Sequence, residues 1–282
     1  MAIAQGDTEA VKRCDQELTA IGGREEYQKA SQLSTSFHST SKWVIGTLAK
    51  TGWLYGIQLK NTEANALADD QKKQKRQRRP TRLLEVGAIN TELLDAAGEE
   101  VPSKDDPNVS IRKYKLSVRA IDINSMEKRI EEQDFLTLPF SSDDVSQRFD
   151  VIVCSMVLNC VTTSLDRGKM LARLYHHLRP GGRLFLTIPK FCLTKSAFLT
   201  SEIFVKMLGT GGVGFTVDET KESPRISFFI CTRPEKENRK PLNPKWMKET
   251  IRNKGKKFPN QFSVVLDETE VVGQKTDKTL ET

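Results

Sequence analysis

Thr81 to Asn90 reads TRLLEVGAIN. An apolar run, an acid at Glu85, a small Val86 and then Gly87 predict a buried strand that ends in a tight turn. A strand, a turn glycine and a following helix build the ligand-facing edge of an open α/β sheet. A full dinucleotide fingerprint would carry three glycines. Here Gly87 is followed by Ala88, Ile89 and Asn90, so the stretch alone is equally a core strand with an ordinary turn. The rest of the chain decides between the two.

Working outward, Lys115 to Ile123 (KLSVRAIDI) reads as a second strand closing on Asp122, a position suited to accepting both hydroxyls of a ribose. Ser125 to Glu132 is polar and reads as helical. Gln133 to Leu136 is a third-strand candidate. Phe149 to Val153 (FDVIV) is nearly all apolar, as a central parallel strand buried on both faces should be, and it runs into CSMVLNCV. A helix from Asp166 puts Met170, Leu171, Leu174 and Leu178 on one face. Arg179-Pro180-Gly181-Gly182 reads as a stop and turn, and Arg183 to Ile188 as a fifth strand. A helix over Thr200 to Leu208, stopped by Gly209, precedes a hairpin around Ser223-Pro224-Arg225. The expected fold is α/β: a Rossmann-like, seven-stranded, mostly parallel sheet with a C-terminal antiparallel hairpin and helices on both faces.

The flanks differ in texture. Residues 1–22 read as disordered, 23–70 as a helical lead-in, 71–80 as a basic linker, 81–233 as the catalytic-type domain and 234–282 as a basic, then polar, tail. In the lead-in, Ser39 or Thr40 is placed to cap a helix carrying Trp43, Val44 and Leu48, and Tyr27, Trp43 and Trp53 read as docking aromatics. Lys72 to Arg79 (KKQKRQRR) holds six cations in eight residues. It is either a solvated linker, a nuclear-import signal or a phosphate-binding patch. Arg233 to Asn260 carries ten Lys and Arg against three Glu, a net +7 that equals the charge of the whole chain. Such a balance suits an anionic partner. The five cysteines lack metal-ligand spacing and read as reduced residues of an intracellular protein. No run approaches membrane-spanning length, and no secretory apolar region opens the chain.

Taken together, LEVGA, the acid on strand two, QDF, FDVIVCSMVLNCV and LRPGGRLFLTIPK resemble a class I S-adenosylmethionine-dependent methyltransferase. EEYQKAS with TSKWVIGTL, LLEVGAIN, AIDINS, QDFLTLPF, SMVLNCV, RGKML and PKFCLTKSAFLT narrow the resemblance to the fungal large-subunit (25S) rRNA adenine-N(1) methyltransferases, which are nucleolar. The resemblance spans about residues 23–232, apart from the basic run. It implies S-adenosylmethionine as cofactor, contacts from Gly87 and Asp122, and ribosomal RNA or a pre-ribosomal particle as partner. Animal relatives that sense S-adenosylmethionine and bind signalling proteins supply the non-enzymatic alternative. No metal is expected, and the chain is expected to act as a monomer.

The residues give the chemistry expected of such a site. Gly87 would let the backbone approach the methionine part of the cofactor. Glu85 would face the sulfonium or the methionine ammonium, and Asp122 the ribose. Asp134 would accept from the adenine amino group with Phe135 against the ring; the alternative is a surface acid followed by a core phenylalanine. Adenine N1 has a free lone pair, so attack on a methyl group needs alignment more than a base. Ser155 and Asn159, past strand four, are the candidates to hold the base edge, Asn159 being equally placed to end a helix. His176 and His177 read as surface residues compensating a helix C-terminus.

Overall fold

The structure, a computed structural model, describes residues 40–58, 78–103, 106–139, 147–236 and 239–273. The expected disorder of 1–22, most of the lead-in with Tyr27, and Lys72 to Gln77 of the basic run lie outside these residues. Seven strands form one sheet: β1 (Thr81–Val86), β2 (Leu116–Asp122), β3 (Glu131–Glu132), β4 (Phe149–Ser155), β5 (Leu178–Pro189), β6 (Thr216–Glu222) and β7 (Ile226–Thr232), in the order β6-β7-β5-β4-β1-β2-β3. β3, β2, β1, β4 and β5 pair in parallel; β7 pairs antiparallel with both β5 and β6. The expected fold is the observed one, with β7 as the reversed strand.

Both faces of the sheet are covered, which is why β1, β4 and β5 read as continuous apolar runs. On one face Leu83, Val151, Val153, Phe185 and Ile230 pack against Val44 and Leu48 of helix α1 (Thr40–Lys50) and Leu93 of α2 (Glu92–Gly98). Trp43 meets Phe185 and Phe228 edge-on, each at 5.1 Å between ring centres, so it is the docking aromatic it was expected to be. On the other face Leu84, Val86, Ile152, Cys154, Leu184 and Leu186 pack against α3 (Ser164–His177), whose Thr163 Oγ1 caps Asp166 N at 3.0 Å, and α5 (Ser201–Leu208).

Four expectations are corrected. The third strand is Glu131–Glu132, and Gln133-Asp134-Phe135 follows it in a turn, because Asp134 Oδ1 accepts from Leu136 N (2.8 Å) and draws the backbone out of the ladder. Ser125 to Glu132 is not helical; Asp122 and Ser125 side chains bind backbone groups two residues on and hold turns there. Arg179 to Gly182 is not a turn ahead of a strand that starts at Arg183 but a bulge inside β5: the β4 register jumps from Phe149↔Leu178 to Val151↔Arg183, with Gly181 at φ +77°.

The fourth correction is the largest. The core does not stop at Thr232. Leu242, Trp246, Phe262, Val264, Leu266 and Val271 are buried in the main core, and a short helix α6 (Glu268–Val272) packs on α3. Residues 239–273 therefore wrap the domain, not trail from it. Contact is closest at Gly168 of α3, where a Cβ would lie 1.7 Å from Val265 O. Two cations expected in a phosphate-binding patch are internal. Arg233 Nη1 donates to the carbonyls of Tyr175 (3.1 Å) and Leu178 (2.9 Å). Arg239 lies over the Tyr175 ring at 4.0 Å.

This contact gives a paired test. Gly168→Ala must push the wrapping segment off α3 and should cost about 1–3 kcal/mol, seen as a lower thermal midpoint and faster proteolysis within 239–273. Gly46→Ala, on the exposed face of α1 with nothing within 4 Å of its Cβ, should instead stabilise by about 0.5–1 kcal/mol. Equal effects from the two would contradict the packing described.

Candidate functional site

The chain moves from β1 outward to β2 and β3, then returns to the other side of β1 with β4 and β5. The crevice beyond the carboxyl ends of β1 and β4 is thus the point where strand order reverses, the place where open α/β sheets bind ligands. Glu85 and Gly87 sit at the end of β1, Asp122 at the end of β2, and Ser155 and Asn159 at and beyond the end of β4. The sheet brings these five predicted residues to one edge. A cleft of about 430 Å³ lies at the opposite edge, among Arg82, Ser117, Phe149 and His177 at the strand starts. At the carboxyl edge, Ala88, Ile89, Asp122, Asn124, Ser125 and Ile130 line a smaller hollow.

Glu85 is the most perturbed group there. It alternates onto the same face as Leu83, opposite Val153, and its Oε2 is buried with no hydrogen-bond partner. Burial, with a smaller contribution from nearby Glu92, raises its pKa from the ordinary 4.5 to about 8. A buried carboxylate oxygen with nothing to bind is the mark of a site waiting for a cation. Asp122 is half-buried; its Oδ1 accepts from Asn124 N (2.9 Å), and burial holds its pKa above the usual carboxylate value despite that bond. The donor set therefore fits an S-adenosylmethionine: one carboxylate for the positive end and one for the ribose.

Gly87 has a structural reason beside the expected one. Its φ is +71°, and a Cβ there would fall 2.2 Å from Val157 Cγ2. The glycine is required by the turn and by Val157, a residue of the loop after β4, so the two sides of the crevice close on each other at this point.

Ser155 is already engaged. Its Oγ lies 2.9 Å from Thr40 Oγ1, at the start of α1, and 2.9 Å from Thr187 Oγ1 on β5. It joins three elements in one hydroxyl chain, in which either member of each pair can be the donor. Asn159 differs: Nδ2 donates weakly to Cys160 Sγ (3.4 Å), and Oδ1 is buried without a partner. Between them Met156 takes φ +61°, the left-handed region that a non-glycine residue seldom occupies, and its side chain stays exposed. Sequence reading passed over Met156, because nothing in SMVLN signals a backbone outlier.

Phe135 is the corrected site residue. It is 3% exposed and its ring packs in the core, 5.3 Å from His177, so it is no platform for an adenine. The alternative reading, an acid followed by a core phenylalanine, is the observed one, and Asp134 keeps an intermediate exposure. His176 and His177 are also not surface residues. Burial, aided by Arg239 near the first and Arg173 near the second, pushes both pKa values down to about 4. Of the basic run, Arg79 is structural: it grips the buried Asp150 with both terminal nitrogens, at 2.5 and 2.6 Å.

Comparison with known proteins places this geometry. Over residues 12–264 the chain matches the model of a family described as Bmt2, 25S rRNA (adenine(2142)-N(1))-methyltransferase. That match extends beyond residue 232 into the wrapping C-terminal segment. The 25S rRNA (adenine(2142)-N(1))-methyltransferase of Saccharomyces cerevisiae is 35% identical over 114 residues, which is 40% of this chain and 33% of that protein; the match spans a third of the curated relative's length. Among solved structures, the N-methyltransferase NodS from Bradyrhizobium japonicum WM9 with S-adenosyl-l-homocysteine is 15% identical, with 56% of this chain and 80% of that chain covered and a TM-score of 0.37. The 1,6-didemethyltoxoflavin-N1-methyltransferase of Burkholderia thailandensis is 14% identical, with 78% and 90% covered and a TM-score of 0.38.

The raised pKa of Glu85 yields a signed test. The folded protein keeps a proton that the unfolded chain releases above its ordinary 4.5, so this stabilisation is complete below that value and is lost as pH rises to about 8. Without ligand, this loss opposes the gain that the depressed pKa values of His176 and His177 give as pH rises from about 4 to 6.5, so the test is a comparison: the thermal midpoint of wild type should drop relative to that of Glu85→Gln between pH 5 and pH 8. A slope unchanged by Glu85→Gln would refute the assignment.

Proposed function

The chain belongs to the Bmt2 family of 25S rRNA (adenine(2142)-N(1))-methyltransferases, and on that footing we propose that it methylates N1 of an adenine in large-subunit ribosomal RNA, using S-adenosylmethionine. The observation that carries the reading is the pair Glu85 and Asp122 at the reversal point of the sheet, with the unpartnered Asn159 Oδ1 across the crevice. Bound S-adenosylmethionine supplies an electrophilic methyl group on a positively charged sulfur.

The chain's own residues do the rest. Glu85 gives up its proton when a cation enters and then balances that charge in a buried setting. Asp122 accepts from the ribose hydroxyls. Asn159 Oδ1 accepts from the exocyclic amino group of the target adenine, which sits beside N1 and sets the in-line approach of its lone pair. As N1 takes the methyl, positive charge spreads over N1 and the amino group, so the Asn159 hydrogen bond strengthens along the reaction and lowers its barrier. No general base is required, because N1 bears no proton when it attacks. Ser155, locked between Thr40 and Thr187, fixes the end of β4 from which Asn159 projects.

N1 lies on the Watson–Crick edge, so the target adenine is reached unpaired or turned out of its helix. The partner is rRNA or a pre-ribosomal particle, and the place of work is the nucleolus. The family description is of an enzyme, and no observation favours the cofactor-sensor alternative.

Incubation with labelled S-adenosylmethionine and unmodified large-subunit rRNA should yield labelled 1-methyladenine; cofactor binding without any transfer would sink the proposal. Within it, Asp122→Ala should weaken cofactor binding in calorimetry by about ten- to a hundredfold, the loss of a charged hydrogen bond. Asn159→Ala should leave that affinity near wild type and lower turnover by roughly a hundredfold. An Asn159→Ala enzyme of normal turnover removes the residue from the mechanism.

A further inference from the structure

Arg252 to Asn260, RNKGKKFPN, carries four cations and no carboxylate, and both of its ends are tied to the same short stretch of chain. At the start, Arg252 N and Asn253 N donate to Ala197 O (2.8 and 3.0 Å), and Asn253 Nδ2 donates to Ser196 O (2.9 Å). At the finish, Ala197 N donates to Asn260 O (2.9 Å), Asn260 N donates to Lys195 O (3.0 Å), and the buried Ser196 hydroxyl donates to Phe262 O (2.6 Å). A loop whose stems close on one hub is a compact Ω-type loop, held in place while its tip faces solvent. Lys254, Lys256 and Lys257 are all exposed around Gly255, which takes φ +100°.

The hub sits beside the reaction edge. It directly follows α4 (Phe191–Thr194), which begins where β5 ends. Asn260 hydrogen-bonds to Cys192, and Cys160, in the loop after β4, is near enough to raise the cost of ionising Cys192; Cys160 in turn feels the carboxylate of Asp122. Asp122, Cys160, Cys192 and Asn260 are thus neighbours in turn, from the proposed ribose site to the stem of the basic loop. At the start of α4, one turn before the hub residue Lys195, Phe191 is half exposed; the Lys195 amide donates to the Phe191 carbonyl (3.1 Å).

Four like charges pinned in one loop repel each other, and a half-exposed aromatic gains little from burial in the folded protein. Arg252 lies over the Trp246 ring at 5.6 Å and serves the fold, but the three exposed lysines and the exposed half of Phe191 do not. Together they are the two parts of a single-strand nucleic-acid surface: cations that follow phosphates and a ring on which a base can stack. Resting on the methyltransferase reading above, we infer that the Arg252–Asn260 loop and Phe191 form the docking surface for the single-stranded RNA that flanks the target adenine, with the lysines on its phosphates and Phe191 stacked on a neighbouring base. An acidic protein partner would use the lysines and leave the ring idle.

The test uses the full chain and a short single-stranded oligoadenylate, with binding followed by fluorescence anisotropy across a salt series. Replacing Lys254, Lys256 and Lys257 together by Gln should reduce the slope of log affinity against log salt by about 2, near 0.7 for each phosphate contact. Phe191→Ala should weaken binding about tenfold at unchanged slope, and Phe191→Trp should restore it. Calorimetric S-adenosylmethionine affinity should be the same in all variants. A triple variant with the wild-type slope overturns the inference. Loss confined to the lysine variant, with Phe191→Ala neutral, also overturns it, because that is what a general anion patch gives. If wild type methylates rRNA while the variants match it, the docking surface alone falls; if wild type neither binds the oligonucleotide nor methylates rRNA, the proposed function falls with it.

Discussion

The carboxylate of Asp150 fixes the register on which the molecule depends. Asp150 is 3% exposed at the start of the central strand β4. It accepts two bonds from Arg79 and one from Arg82 N (2.8 Å), and Arg179 lies 3.8 Å away at the bulge of β5. Parallel strands buried on both faces have apolar side chains everywhere, so a slip by two residues would leave each face as apolar as before. The hydrophobic pattern therefore does not define how β1 sits against β4. A buried carboxylate does, because leaving it without its partners is far more costly than any difference in apolar packing. Once Leu83 is opposite Val151, Glu85 must be opposite Val153, and Gly87 and Ser155 must end together at the crevice.

That dependence explains which parts of the fold were legible. β1, β4 and β5 announced themselves as apolar runs because the sheet buries them on both sides. β7 was legible for the same reason, and the Ser-Pro-Arg turn gave the hairpin. The wrapping segment was illegible because Leu242, Trp246 and Val271 enter the core singly, and the period-two alternation of Phe262, Val264 and Leu266 lasts only five residues in a chain that joins none of the named strands. One signal was present. Gly168 stands in the middle of a strongly periodic helix, where glycine is costly, and a glycine kept there marks a close approach. The same wrapping misled the reading of the histidines, since His176 Nε2 lies 3.1 Å from the carbonyls of Glu270 and Val271, residues assigned to a tail.

At the site, sequence could name residue types at strand ends but not their company. Glu85, Gly87, Asp122, Ser155 and Asn159 meet at one edge because strand ends converge there by topology. Whether a side chain faces the crevice or the core depends on the turn around it, which is why Phe135, three residues past a shorter β3 than expected, points into the core. Ser155 was chosen as a free hydroxyl. Its partners Thr40 and Thr187 are 115 and 32 residues distant in sequence, and no local pattern joins them. The chain they form also gives the lead-in a role: α1 covers one face of the sheet and its first residue braces the end of β4.

The arrangement of charge around the crevice follows from the chemistry proposed for it. Methyl transfer from a sulfonium to neutral adenine moves one positive charge from donor to product and creates none. Carboxylates near the crevice, Glu85 and Asp122, therefore attract the bound pair about equally before and after the step, and such uniform attraction favours binding over turnover. What favours turnover is a group that meets the charge only where it arrives. Asn159 Oδ1, buried and unpartnered beyond the end of β4, is such a group: neutral, so it does not compete with the carboxylates for the donor's charge, and an acceptor, so it gains as the adenine amino group becomes more acidic. The cations lie outside this zone, on the pinned loop and at exposed flanks, where phosphates can reach them and where solvent screens them from the developing charge. Acid within and base around it is the order required when an anionic polymer must deliver one neutral base that leaves as a cation.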